Sequence, residues 1–275
     1  MRIFIHISLT IISLNLTQNT YTQVERWTLG TADNLDKFHF EIGAFQPARF
    51  GLTNKIEFST LALSNIFVPN LSLQKQWWER KILIATKHGI YYTKPGLNMA
   101  RKTGYKNWVA DTVLIPKTLV LKNELLVSRY FKTCRCCPSV FLFTGKIGVL
   151  FNAPKNDSLF VPIDHTLMYP RTQIYNNHYL WNIGFDLEGP LFNWFDFSVD
   201  VDYFRVFGTG TQSIEHKAIA RYRFSPGWDF FAGYKLAWCP NAPSKNWYFR
   251  PFIDAVYKFN IPIKPKNGLW RRGEI

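Results

Sequence analysis

The feature that most constrains this chain is a strict two-residue alternation between Trp194 and Tyr203, W-F-D-F-S-V-D-V-D-Y. Phe195, Phe197, Val199, Val201 and Tyr203 fall on one face, and Asp196, Ser198, Asp200 and Asp202 on the other. Successive side chains of a strand point to opposite faces, so this period predicts a strand with one apolar and one polar side. Tyr179 to Leu187 repeats the pattern, with Trp181, Ile183, Phe185 and Leu187 against Asn182, Gly184 and Asp186.

Downstream, Ala218, Ala220, Tyr222 and Phe224 oppose Glu215, Lys217, Arg221 and Arg223, and Ser225-Pro226-Gly227 then makes a tight turn. The next strand sets Trp228, Phe230, Ala232, Tyr234, Leu236 and Trp238 against Asp229, Gly233 and Lys235. Ten residues at about 3.3 Å each, tilted by about 40°, rise about 25 Å, the height of a lipid-facing band between two aromatic girdles. Trp181, Trp228, Trp238 and Tyr257 are the candidate girdle residues. A last strand, about Trp247 to Phe259, turns Ile253, Ala255, Tyr257 and Phe259 outward and Arg250, Asp254 and Lys258 inward.

Earlier strands are expected at about 37–45, 55–63, 71–77, 81–87, 118–130 and 140–151, for a total of about 10 to 12. Residues 23–30 are a candidate for the missing member of an even set. With both chain ends on the periplasmic side, the turns at 188–193 and 225–227 fall there, and the long connections at 88–117 and 152–177 fall outside.

The first residues combine Arg2 with an apolar run from Ile3 to Leu14, too short to span a bilayer as a helix. Polar residues with small side chains follow, and Thr20 and Thr22 place a signal-peptide cleavage before Gln23. Residues 1–22 are therefore read as a signal peptide and residues 23–275 as one domain. A buried first strand of a cytosolic protein is the alternative. Beyond this segment no run of about 18 apolar residues occurs, so a membrane form of the chain must be a barrel.

The expected fold is thus all-β, an antiparallel transmembrane β-barrel in a Gram-negative outer membrane. A net charge of +14 would suggest a nucleic-acid surface in a cytosolic chain, but export argues against that partner. Basic residues cluster at 101–106 and 264–272, where they match anionic lipid head groups or lipopolysaccharide. The chain resembles the outer-membrane barrel proteins of Bacteroidota in its Thr-Gln cleavage junction, its paired aromatic-rich hairpins and its closing pair of long strands. That resemblance implies the barrel without fixing an activity, and the residues 260–275 beyond the last strand depart from the usual aromatic end.

Candidate chemistry is sparse. Cys134, Cys136 and Cys137 lie in one predicted periplasmic turn, with Cys239 near the opposite end of a strand, so a local disulfide and unpaired thiols both stay open. No metal or cofactor is expected, since histidines or a second cysteine pair at ligand spacing are absent. His39, His88, His165, His178 and His216 lie in no nucleophile motif, so a hydrolase is disfavoured.

The inward charges are the candidate site: Asp196, Asp200, Asp202, Glu215, Lys217, Arg221, Arg223, Asp229, Lys235, Arg250, Asp254 and Lys258. They either line a narrow channel or pair to fill a structural lumen. A transport barrel, an accessory or anchoring subunit of an outer-membrane assembly, and a secreted soluble β-sandwich are the three readings of function.

Overall fold

The computed structural model describes residues 28–102, 119–132, 140–153, 179–192, 194–208, 212–238, 240 and 247–260. Twelve antiparallel strands close on themselves in sequence order. They are β1 (His39–Ile42), β2 (Ala48–Thr53), β3 (Ile56–Thr60), β4 (Asn70–Glu79), β5 (Ile82–Tyr92), β6 (Leu119–Lys132), β7 (Val140–Ala153), β8 (Tyr179–Phe192), β9 (Phe195–Val206), β10 (Gln212–Ser225), β11 (Trp228–Trp238) and β12 (Trp247–Asn260). Closure is made by β1 against β12, from His39 opposite Asn260 to Ile42 opposite Tyr257. One short helix, α1 (Lys94–Lys102), follows β5, and no helix among the described residues is long and apolar enough to cross a membrane.

The period-two pattern is obeyed around the ring. On β8, Leu180, Asn182, Asp186 and Glu188 are buried inside while Ile183, Phe185 and Leu187 are exposed outside. On β6, Val120, Glu124, Leu126 and Ser128 point in and Leu121, Leu125 and Val127 point out. A sheet of exposed Leu, Ile, Phe and Trp wrapped around a polar interior is inside out for water, where contiguous apolar patches stay below a few hundred Å². It suits hydrocarbon, in which a closed barrel pairs every interstrand N–H and C=O.

Two expectations are corrected. The strand missing from the predicted even set is β2, A-R-F-G-L-T, whose arginine and glycine hide its alternation. Residues 28–30 form no strand: Thr28 to Asp36 enters the barrel and lies inside it. The residues after Asn260 lie outside the described residues, and the closing strand is β12 itself.

The wall is uneven. β1, β2 and β3 have 4, 6 and 5 residues, against 14 in β6, β7, β8, β10 and β12. At the rim of His39 and Asn260, which the expectation above assigns to the periplasm, β1 and β12 end level, so the shortfall of β1 against β12 lies at the opposite rim.

If β1 and β12 close the ring, His39 and Asn260 form a non-hydrogen-bonded pair, with Cα atoms close enough for a disulfide. In a background with all four native cysteines replaced by serine, the double variant His39→Cys, Asn260→Cys should oxidise to a species that keeps its folded gel mobility, whereas His39→Cys with Ile253→Cys should not cross-link.

Candidate functional site

The lumen owes its character to the charged residues at alternate positions of β5 through β12. Lys146 on β7 is its centre: its amine lies 2.8 Å from Asp186, 2.9 Å from Asp200 and 3.0 Å from Asp202. This reach across two strands depends on Gly184, which stands opposite both Lys146 and Asp202 in the ladder. A Cβ there would fall 2.5 Å from Lys146 Cε and 1.9 Å from an Asp202 oxygen. Asp200 also takes Lys217 at 3.0 Å.

Nearer the periplasmic rim, Arg221 donates through Nε and Nη2 to Asp196 at 2.8 and 2.7 Å, and Arg223 reaches the same carboxylate at 3.2 Å. Lys258 pairs with Asp229 at 3.1 Å, and Lys235 with Glu215 at 2.7 Å. Asp254 has a different role. Its carboxylate accepts backbone N–H groups from Ala44, Phe45 and Gln46 at 2.9, 2.9 and 2.6 Å, and so fixes the β1–β2 loop. Arg250 is exposed, and its guanidinium donates to the carbonyl of Phe249 at 3.3 Å.

Several members of this lattice escape the sequence reading. Arg49 donates in bidentate fashion to Glu57 at 2.8 and 2.6 Å and pairs with Glu41 at 3.1 Å. It sits on the short β2, which the periodicity does not reveal. Lys122 and Glu124, paired at 2.5 Å, together with Lys146 and Asp186, do obey the alternation of their strands. The signal that finds them is register: facing Lys146 with Gly184 and Asp202 needs the strand alignment, which one sequence does not supply.

The least anticipated component is the segment Thr28 to Asp36, which crosses the lumen in its periplasmic half. Leu29 packs against Ile219, Phe231 and Val256, and Ala32 against Leu83, Ala85 and Leu126 on the far wall. Ala32 N–H donates to Ser128 Oγ at 2.8 Å, and Leu35 N–H to Glu57 at 2.8 Å. Gln74 donates to the carbonyl of Thr31 and to Asn34 Oδ1, both at 2.9 Å, Tyr130 donates its hydroxyl to Asp33, and Arg49 holds Thr28 Oγ1 at 2.8 Å. Gly51 lets the segment leave: a Cβ there would lie 2.0 Å from the Asp36 carbonyl oxygen, while Phe38 N–H bonds the Gly51 carbonyl at 2.7 Å. Below the segment, a cavity of about 1030 Å³ opens at the periplasmic mouth, lined in part by Asp36, His39, Glu41, Glu79 and Lys258.

The aromatic candidates occupy both rims. Trp228 faces Tyr257 near the periplasmic end with ring centroids 4.9 Å apart. Trp238 faces Trp247 at the other end at 6.4 Å, and Trp181 meets Tyr203 edge-on at 5.5 Å. His88 hydrogen-bonds Asn123 at 2.7 Å and His216 the hydroxyl of Tyr234 at 3.1 Å, both on the outer face. Residues 1–27, the four cysteines, His165, His178 and the basic segment 264–272 lie outside the described residues.

The sequence matches no protein-family model and no curated protein. Among solved structures, the chain is similar to an outer membrane channel from Pseudomonas putida F1, at 9% identity and a TM-score of 0.49, over 85% of this chain and 100% of that one. It is also similar to a bacterial polysaccharide outer membrane secretin, at 12% identity and a TM-score of 0.44, over 80% of this chain and 70% of the other. OccAB2 of Acinetobacter baumannii matches at 9% identity and a TM-score of 0.37, over 78% of this chain and 54% of that one.

Removing the ammonium while leaving three buried carboxylates should cost about 3–5 kcal/mol, the scale for orphaning one side of a buried ion pair. Lys146→Ala is therefore expected to lower the urea midpoint of the refolded barrel well below the parent's. Gly184→Ala should do the same by intrusion, and equal midpoints in both variants and parent would refute the central role of Lys146.

Proposed function

We propose that the protein is an integral outer-membrane barrel of the narrow-channel type that rests closed and conducts small charged solutes when Thr28–Asp36 leaves the lumen. The observation that carries this reading is what blocks the path. Among the described residues the obstruction is one nine-residue chain segment, held largely by hydrogen bonds from polar wall residues such as Gln74, Ser128 and Tyr130. A wall lined by Lys, Arg, Asp and Glu hydrates once the segment is gone, whereas a lumen meant to stay filled is more cheaply built from apolar side chains.

The outer-membrane setting is supported by the apolar exterior and by the export reading of residues 1–22. The Bacteroidota affinity and a contact between the basic segments and lipopolysaccharide belong to the same proposal, as charge and pattern matches. The competing reading, an accessory or anchoring barrel, draws on the density of buried ion pairs, which rigidify a lumen as readily as they line it.

A reversible lock separates the two. In the cysteine-free background, Ala32→Cys with Ser128→Cys should oxidise to a barrel with no single-channel events in planar bilayers, and reduction should restore them. In that conducting state Asp200→Asn should shift the reversal potential under a salt gradient. Silence in the oxidised, reduced and parent proteins alike would favour the structural barrel.

A further inference from the structure

Among the described residues, the short strands leave the wall open beside the upper part of β12. β1 ends at Ile42, opposite Tyr257, yet β12 runs on to Trp247. Ala44–Gln46 lie against Asp254, and the edge beyond them, Ile253 to Trp247, rises about 15 Å at about 3.3 Å per residue and a tilt of about 40°. Among the described residues no strand pairs with this edge. The helix α1 packs beside Phe67 and Val68, at the β4 side of the gap, where a Cβ on Gly96 would lie 3.0 Å from the Phe67 carbonyl oxygen.

The sequence is adapted to an open edge here. Lys258 N–H donates to the Gly227 carbonyl on the β11 side at 2.8 Å, so by alternation the odd-numbered residues of β12 turn their backbone groups toward the gap. Pro251 is one of them and has no N–H to leave unpaired, the placement that proline takes on edge strands. Ala255 is another, and its N–H is taken by the Asp254 carboxylate at 2.9 Å. The same proline interrupts any ladder that an added partner strand would need.

The gap is amphipathic. Its membrane side carries exposed Trp247, Phe249 and Ile253, the last 77% exposed. Its lumen side carries Arg250 directly opposite Lys235 in the ladder, with Lys217 one strand further. Asp200 and Glu215 pair with Lys217 and Lys235, while Arg250 has no carboxylate in reach among the described residues. Among the described residues Arg250 is thus the cation of the three without a carboxylate, about three residues or 8 Å below the rim residue Trp247.

Resting on the outer-membrane reading above, we propose that the low wall at β1–β3 is a lateral portal that admits a single-chain anionic amphiphile from the outer leaflet into the upper lumen. Its head group is received by the Arg250 guanidinium beside Lys235, and its chain stays against Phe249, Phe252 and Ile253.

The test uses the full chain, folded in a non-ionic detergent, with dodecanoate as the probe and dodecyltrimethylammonium as the cationic control. Titration calorimetry should show saturable binding of dodecanoate and none of the control. Arg250→Gln should weaken dodecanoate binding at least tenfold and Arg250→Lys should restore most of it, with the heat-dependent gel shift showing that each variant is folded. A photoreactive fatty acid of the same length should label β12 between Trp247 and Ile253. Equal affinity for both head groups, insensitivity to Arg250→Gln, or labelling confined to the periplasmic mouth would overturn the portal. Each result is read without conductance, so the portal can fail while the channel reading stands, and the reverse.

Discussion

Hydrocarbon offers nothing to a peptide N–H or C=O, and the architecture follows from that fact. Closure of β1 on β12 removes the two edges that an open sheet of twelve strands would expose. The constraint also explains why the exceptions are built with care. Where β12 rises past β1, its edge is blunted by a proline without a donor and by an aspartate that caps a neighbouring amide. Asp254 serves both sides of this arrangement, because the same carboxylate gathers three amides of the β1–β2 loop. A lysine or arginine partner would have taken it out of that role.

The exterior being apolar, charge has one place to go. Twelve strands enclose a bore that side chains and one chain segment can fill, and the ion pairs are dense because several charged groups are shared. Lys146 with three carboxylates and Asp196 with two arginines are multivalent centres rather than separate bridges. Such centres are costly to assemble and costlier to break singly, so they hold the wall of β7 to β10 in one arrangement. The segment that crosses the lumen is held differently. Besides the packing of Leu29 and Ala32, its contacts are hydrogen bonds to amides, hydroxyls, one carboxylate and the Arg49 guanidinium, neutral ones each worth about 1 kcal/mol net. Wall and segment therefore differ in how easily they yield.

The strands β8 to β12 were readable because each is long and keeps most of its apolar residues on one face, with inward Ile219, Phe231 and Val256 among the exceptions. The register of these strands, and with it the meeting of Lys146 with Asp186, Asp200 and Asp202, was not readable, since a single chain carries no record of which residues face one another. β2 escaped because in A-R-F-G-L-T the inward positions include Arg49 and Gly51, and Gly51 is a glycine for the sake of Asp36 rather than for the sheet. Thr28 to Asp36 was misjudged for a related reason. T-L-G-T-A-D-N-L-D has polar and apolar residues in no fixed period, and its hydrogen-bond partners on the wall are 21 to 97 residues away in sequence.

The two irregular features have a common cause. The strands shortened at the outer rim, β1 to β3, are those that the lumen segment feeds into, and Arg49 and Glu57 on β2 and β3 bind that segment from within. A short strand buries few groups in lipid, so its contribution to the wall is small and its inward residues are available to hold the segment instead. Arg49 illustrates the exchange: its guanidinium joins β1, β2 and β3 through Glu41 and Glu57 while also holding Thr28. The weakest part of the wall is thus stabilised by the segment that closes the bore. Displacing the segment loosens the same three strands that border the side opening, so the axial and lateral paths share one set of contacts.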